Sequence, residues 1–209
     1  MKPVDPPAGP HAVLLVINRE RLTIEAAELR QIVGLAYAIQ RVRVLGGPVW
    51  ADSDQFDIVA KAENASATRD EIRGMLQTLL AERFKLAVHR ETRQAASYSL
   101  VLAKGGLKLK EAPPDRKSGI ADTTSPRGTK QTVFEASPLR VLANMLANTL
   151  GSPVVDKTGL NGLYDYTFEW PDSASSLADS IDQLGLKLEA KKEAVEFLVI
   201  DHAERPSAN

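Results

Sequence analysis

Two stretches far apart in this chain echo one another. Leu22-Thr-Ile-Glu-Ala-Ala-Glu-Leu-Arg30 and Thr132-Val-Phe-Glu-Ala-Ser-Pro-Leu-Arg140 each run from β-rich residues into the opening of a helix with an apolar face. Any fold for the chain has to supply that strand-to-helix transition twice. The surrounding order repeats as well. After Leu22 the spacing of Leu29, Ile32, Val33, Leu35, Ala36 and Ile39 predicts an amphipathic helix over 27–39, and after Thr132 the spacing of Leu139, Leu142, Met145, Leu146 and Leu150 predicts another, opened by Ser137-Pro138.

A short strand is expected after each helix, at Val42–Leu45 and at Val154-Val155. A glycine turn and a second strand follow each one. In the first half these are Gly46-Gly47-Pro48 and Phe56–Ala60, and in the second Gly159 to Gly162 and Tyr164–Phe168. Next come a helix capped by Thr68 and one over 176–184. Each is followed by two apolar runs, Lys85–Arg90 with Tyr98–Leu102 and Leu186–Glu189 with Val195–Ile200, expected as antiparallel hairpins. The fold class is therefore α+β, an internal duplication of two β-α-β-β-α-β-β units with small mixed sheets packed on helices. The expected division is a proline-rich flexible tail over 1–10, a first unit over 11–104, a linker or mobile loop over 105–130, a second unit over 131–204 and a tail over 205–209.

Composition excludes several functions. Lys+Arg number 26 against Asp+Glu 27, so no basic surplus points to nucleic acid. The chain has no cysteine, which removes disulfides, thiol nucleophiles and thiolate metal sites. No apolar run is long enough to span a membrane, and the start Met-Lys-Pro-Val-Asp lacks the apolar centre of a signal peptide.

Several phrases identify a family. They are Gly46-Gly-Pro-Val-Trp50 with Phe56-Asp-Ile, Met75-Leu-Gln-Thr-Leu-Leu-Ala-Glu-Arg-Phe-Lys-Leu86, His89-Arg-Glu-Thr92, Val155-Asp-Lys-Thr-Gly-Leu160, Gly162-Leu-Tyr-Asp165, Gln183-Leu-Gly-Leu-Lys-Leu188 and Val199-Ile-Asp-His202. Together they resemble the large acidobacterial paralogous family called domain of unknown function 3738, over nearly the whole chain. The resemblance implies an exported protein of the periplasm or cell envelope, with no assigned reaction. Family members usually begin with a signal peptide and a further strand upstream of Lys2-Pro3. The order of elements in each half is also similar to the short N-terminal domains of secretins and TonB-dependent receptors, which implies contacts with other proteins.

Candidate chemistry is sparse. His11, His89 and His202 are too few and too scattered for a metal site, so no metal is expected. Gly46-Gly47 lacks the spacing of a dinucleotide loop and no Gly-Lys-Ser/Thr motif occurs, so no cofactor is expected either. His89, beside Glu91 on a predicted strand, could serve as a general base, although a strand histidine on a solvated face is the simpler account. Asp201 and His202 are neighbours on a strand and face opposite ways, which argues against their pairing. Asp156 and Lys157 could form a polar site with Tyr164 and Asp165. The structural account is that Asp156 and Thr158 bond turn amides, Gly159 takes positive φ and Lys157 points to water. Trp50 and Trp170 stand near matching turns, as packing or as a recognition surface.

Two functions follow as expectations. The first is an envelope binding or sensory module whose partner, an unknown envelope protein or peptide, adds a strand to a sheet edge, with Trp50, Asp156, Lys157, Tyr164 and Asp165 as binding candidates. The second is a metal-free hydrolase with promiscuous ester or phosphoester activity, using His89, Glu91, Asp156 and Lys157.

Overall fold

Alternation in Leu22-Thr-Ile-Glu sends Leu22 and Ile24 into the core while Glu25 stays exposed. That strand is β2 (Arg21–Glu28) of a computed structural model describing residues 14–18, 21–61, 67–113, 115–126, 128–170 and 176–207. The tail expected over 1–10 and His11 lie outside these residues. The described elements combine helices with small sheets, an α+β fold. They divide into two compact units, 1–93 with 196–209 and 94–195. This division differs from the expected boundaries, because residues 94–104 belong to the second unit and 196–204 to the first.

In unit 1, β1 (Leu14–Asn18), β2 and β4 (Gln55–Lys61) form an antiparallel sheet with β2 in the middle. Leu22, Ile24, Phe56 and Ile58 share a core with Leu29, Ile32, Val33 and Ala36 of α1 (Leu29–Ala36) and with Ile72, Leu76 and Leu80 of α2 (Arg69–Arg83). The start of α2 is set by its own sequence. Thr68 Oγ1 accepts the Glu71 N–H at 3.2 Å while the Glu71 carboxylate accepts the Thr68 N–H at 2.6 Å, so two N–H groups that lack helical partners are satisfied. Phe84, fully buried after α2, meets Phe56 edge-on and stacks on Trp50. Truncating such a side chain typically costs about 3–5 kcal/mol.

In unit 2, the sheet order is β6 (Lys110–Glu111), β10 (Tyr164–Glu169), β8 (Lys130–Ser137) and β7 (Gly119–Thr124). Phe134, Tyr166 and Phe168 of this sheet are buried, as are Leu139, Leu142 and Leu146 of α3 (Leu139–Leu150) and Leu177 and Ile181 of α4 (Leu177–Asp182). The segment 105–130, expected as a linker or mobile loop, supplies β6 and β7. Its lack of apolar period has a physical reason, since every residue of β7 after Ile120 is exposed and Ile120 itself is half exposed.

The expected hairpins are also corrected. The sheet ordered β3 (Val44–Gly46), β11 (Leu186–His202), β5 (Ala87–Leu102) and β9 (Val154–Asp156) contains two long unbroken strands in place of four short ones. Neither Glu91–Ala96 nor Glu189–Ala194 contains glycine, proline, asparagine or aspartate, so nothing there favours a turn. The chain leaves unit 1 within β5 and returns to it within β11. β3 pairs in parallel with Leu198–Ile200 of β11, whereas β9 pairs in parallel with Tyr98–Leu100 of β5. Each short strand thus pairs with the closing strand of the other half of the sequence.

Both central strands are bulged before their helix. Ala26 has φ 52° and its N–H donates to Asp57 Oδ1 at 2.9 Å, and Ala136 has φ 41° and donates to Asp165 Oδ1 at 2.8 Å. A left-handed alanine costs about 1–2 kcal/mol, and a hydrogen bond to a charged acceptor, worth about 1.5–3 kcal/mol, offsets it.

Candidate functional site

His89, Glu91 and Arg93 occupy alternate positions of β5 and so share a face. His89 Nδ1 lies 2.8 and 2.9 Å from the two carboxylate oxygens of Asp201 on β11, and His89 Nε2 faces Glu91 Oε2 at 4.0 Å. Glu91 in turn holds Arg93, with Oε2 2.6 Å from its Nη2. The Arg93 hydrogen bond keeps the Glu91 carboxyl below its ordinary range. With Asp201 accepting the Nδ1 proton, a neutral imidazole carries its lone pair on Nε2, the nitrogen on the Glu91 side, and a general base needs such a lone pair. All three groups are substantially exposed.

Asp201, which the sequence places beside His202, is therefore the partner of His89. His202 turns away and meets Glu204 at 3.0 Å. Sequence reasoning named His89 and Glu91 as candidates but did not anticipate the contact of His89 with Asp201. Asp201 lies 112 positions from His89, and only the neighbouring placement of β5 and β11 brings them together.

The candidates around Asp156 separate into two groups. Asp156 Oδ1 accepts the Thr158 N–H at 3.0 Å and the Thr158 hydroxyl at 2.7 Å, Thr158 Oγ1 accepts the Leu160 N–H at 3.2 Å, and Gly159 has φ 73°. These are turn bonds. Lys157, expected to point to water, instead pairs with Glu193 of β11. The lysine hydrogen bond holds the Glu193 carboxyl below its ordinary value, and the Ser97 and Ser99 hydroxyls lie 3.2 and 3.4 Å from its other oxygen. Both serines are buried, which withdraws them from a substrate. No sequence motif marked this Ser-Glu-Lys cluster, because its members come from β5, from β11 and from the turn just after β9.

Tyr164 is buried in the sheet, and Asp165 is taken up by the Ala136 N–H and, through Oδ2 at 2.9 Å, by Arg116. The hydroxyl of neighbouring Tyr166 is buried and, among the described residues, meets no partner of hydrogen-bonding geometry. Burial pushes its pKa up, against the opposing influence of the nearby Ser137 hydroxyl.

The two tryptophans differ in use. Trp50 is half-buried against Phe84 and Phe56, with the Arg205 guanidinium 5.4 Å from its ring centre. Arg205, expected within a tail, is fixed there by Asp54 at 2.7 Å. Trp170 donates its indole N–H to Thr132 Oγ1 at 2.7 Å and packs edge-on against Phe168.

Among the described residues, no group of three or more His, Cys, Asp or Glu side chains is arranged to hold a metal ion. Nor is any helix among them long and apolar enough to cross a membrane. The fold and these contacts define an α+β protein whose polar clusters are paired on strands and in turns. Residues 30–203 match the family described as protein of unknown function (DUF3738), and the chain belongs to that family. Comparison with curated proteins and with solved structures returned no match.

Proposed function

We propose that this chain is a binding module of the cell envelope, and that a partner engages it by adding a strand to the outer edge of β4. The observation that carries this reading is an asymmetry between two sheet edges. In unit 2 the outer side of β10 is occupied by β6, whereas among the described residues no strand lies on the outer side of β4 in unit 1. An open edge offers unpaired N–H and C=O groups, which supply affinity without catalytic residues. The envelope location rests on the resemblance to exported, acidobacterial proteins.

The same reading takes the halves as diverged copies of one unit, similar to the short N-terminal domains of secretins and TonB-dependent receptors. The shared bulge, with Ala26 on Asp57 and Ala136 on Asp165, supports common descent of the halves. Amide hydrogen exchange of Gln55–Lys61 tests the function. A genuine partner slows exchange at the outward amides of β4, and a saturating partner that leaves them unchanged removes the strand-addition reading.

A second reading, a metal-free hydrolase acting on esters or phosphoesters, is favoured by the 2.8 Å contact between His89 and Asp201. There Asp201 orients the imidazole and Nε2 accepts a proton from water. Turnover of aryl ester and aryl phosphate substrates should then fall together in His89→Asn and Asp201→Asn, and activity surviving both changes dismisses the dyad.

A further inference from the structure

The solvent-facing side of β4 carries Asp57, Val59 and Lys61 at alternate positions, and Val59 is 59% exposed. Its other face carries Phe56 and Ile58, both buried, and half-buried Ala60. We propose that the outer edge of β4 is filled by β4 of a second copy of this chain, antiparallel, about a twofold axis through Val59. The proposal rests on the reading of β4 as the binding edge and names its occupant.

Register carries the argument. Centring the pair on Val59 sets Asp57 of each copy opposite Lys61 of the other, Val59 against Val59, and Ile58 against Ala60. Both charges are neutralised and the exposed apolar residue is covered by its own counterpart. Centring on Ile58 sets Asp57 against Val59 and Gln55 against Lys61, and the charge pairs are lost. A slip by a single residue along one copy opposes the core face of one strand to the solvent face of the other. An unmatched lysine on an edge would oppose pairing. A lysine in register with an aspartate permits one pairing and penalises the rest.

Unit 2 shows what the free side of such an aspartate accepts. Asp165, like Asp57, accepts the N–H of a bulged alanine at Oδ1, and its Oδ2 accepts from Arg116 in the segment between β6 and β7. At Asp57 the corresponding cation is Lys61 of the second copy. The remaining edges lack this complementarity. β7 carries Ile120 and Asp122 but no basic residue, β1 carries no charge, and β3, β6 and β9 have three residues or fewer.

The cysteine-free chain allows a direct test. Val59→Cys in the full chain, under mild oxidation, should form a disulfide-linked dimer about tenfold or more faster than Ile120→Cys, which exposes a thiol on the β7 edge. Sedimentation of the unmodified chain should show a concentration-dependent dimer, weakened about tenfold by Lys61→Glu because two attractive pairs become repulsive. Asp57→Lys alone should weaken self-association to a similar extent, while a mixture of Asp57→Lys with Lys61→Glu restores a dimer of the original strength. Should Asp57→Lys fail to fold, the cysteine comparison still decides. Equal crosslinking at positions 59 and 120, or a monomer at every concentration, overturns the second copy as occupant. In that case, slowed β4 exchange with another partner keeps the strand-addition reading, and unchanged exchange removes both.

Discussion

Ala26 and Ala136 solve the same backbone problem at the same point of two units, yet their aspartates live differently. Asp165 is saturated, with Ala136 on one oxygen and Arg116 on the other, and β6 runs beside it. Asp57 bonds Ala26, and among the described residues no strand runs along its outer side. The arginines that close the two echoed stretches diverge in the same way. Arg30 grips Asp52 through two nitrogens at 2.6 and 2.7 Å and bonds the Val44 and Gly46 carbonyls, whereas Arg140 is exposed. Unit 1 has an acidic residue in the turn after its short strand, and unit 2 offers none in the matching place. Repeated backbone geometry therefore does not impose repeated side-chain partners.

This comparison can be broken most forcefully at glycine. A Cβ at Gly185 would lie 2.0 Å from the Gly106 carbonyl oxygen, at φ 74°, so Gly185→Ala should cost unit 2 about 3 kcal/mol or more. Each unit holds one tryptophan, Trp50 or Trp170, so denaturation of single-tryptophan variants reads the units separately. Loss confined to the Trp170 signal makes the units independent, and equal loss at both makes them one cooperative body.

Next in size, Asp165→Ala should cost about 2–3 kcal/mol, because it strips both the Ala136 N–H and Arg116, and Asp57→Ala about 1–2 kcal/mol. Equal losses would show that Arg116 contributes nothing. Ala26→Gly and Ala136→Gly should each stabilise by about 0.5–1 kcal/mol by relieving the left-handed alanine, measured from the same denaturation curves.

The smallest effect is that of pH. The Arg30 hydrogen bond holds the Asp52 carboxyl below its ordinary value, and Lys157 does the same for Glu193. Folded values lower than unfolded ones mean stability that is present above about pH 4 and is lost as pH falls through the folded values. Asp52→Asn should flatten this acid limb in the Trp50 signal and leave the Trp170 signal alone. Asp52 is exposed enough for screening to keep the change small.

Local chemistry was readable in the sequence wherever a short stretch settles its own geometry. Thr68 announced the start of α2, the alternation of Phe56-Asp-Ile announced β4, and Asp156 with Thr158 announced a bonded turn. The long strands were missed because charged residues in mid-strand look like a connection, when they are solvated faces of unbroken ladders. The candidate site was legible only at His89 and Glu91. Its third member, Asp201, and the pairing of Lys157 with Glu193 depend on strand neighbours that no local pattern encodes.

The pairing of β3 with the end of β11 carries a consequence for biosynthesis. The Arg43 side chain bonds the Glu196 carbonyl 153 positions along the chain, and Val44 lies in register with Leu198. A ribosome therefore delivers the helices and the first sheet of unit 1 long before the strand that closes it. Until that strand emerges, the nascent chain displays β3 without its neighbour, and a chaperone acting during this interval would find its target at Val44–Gly46.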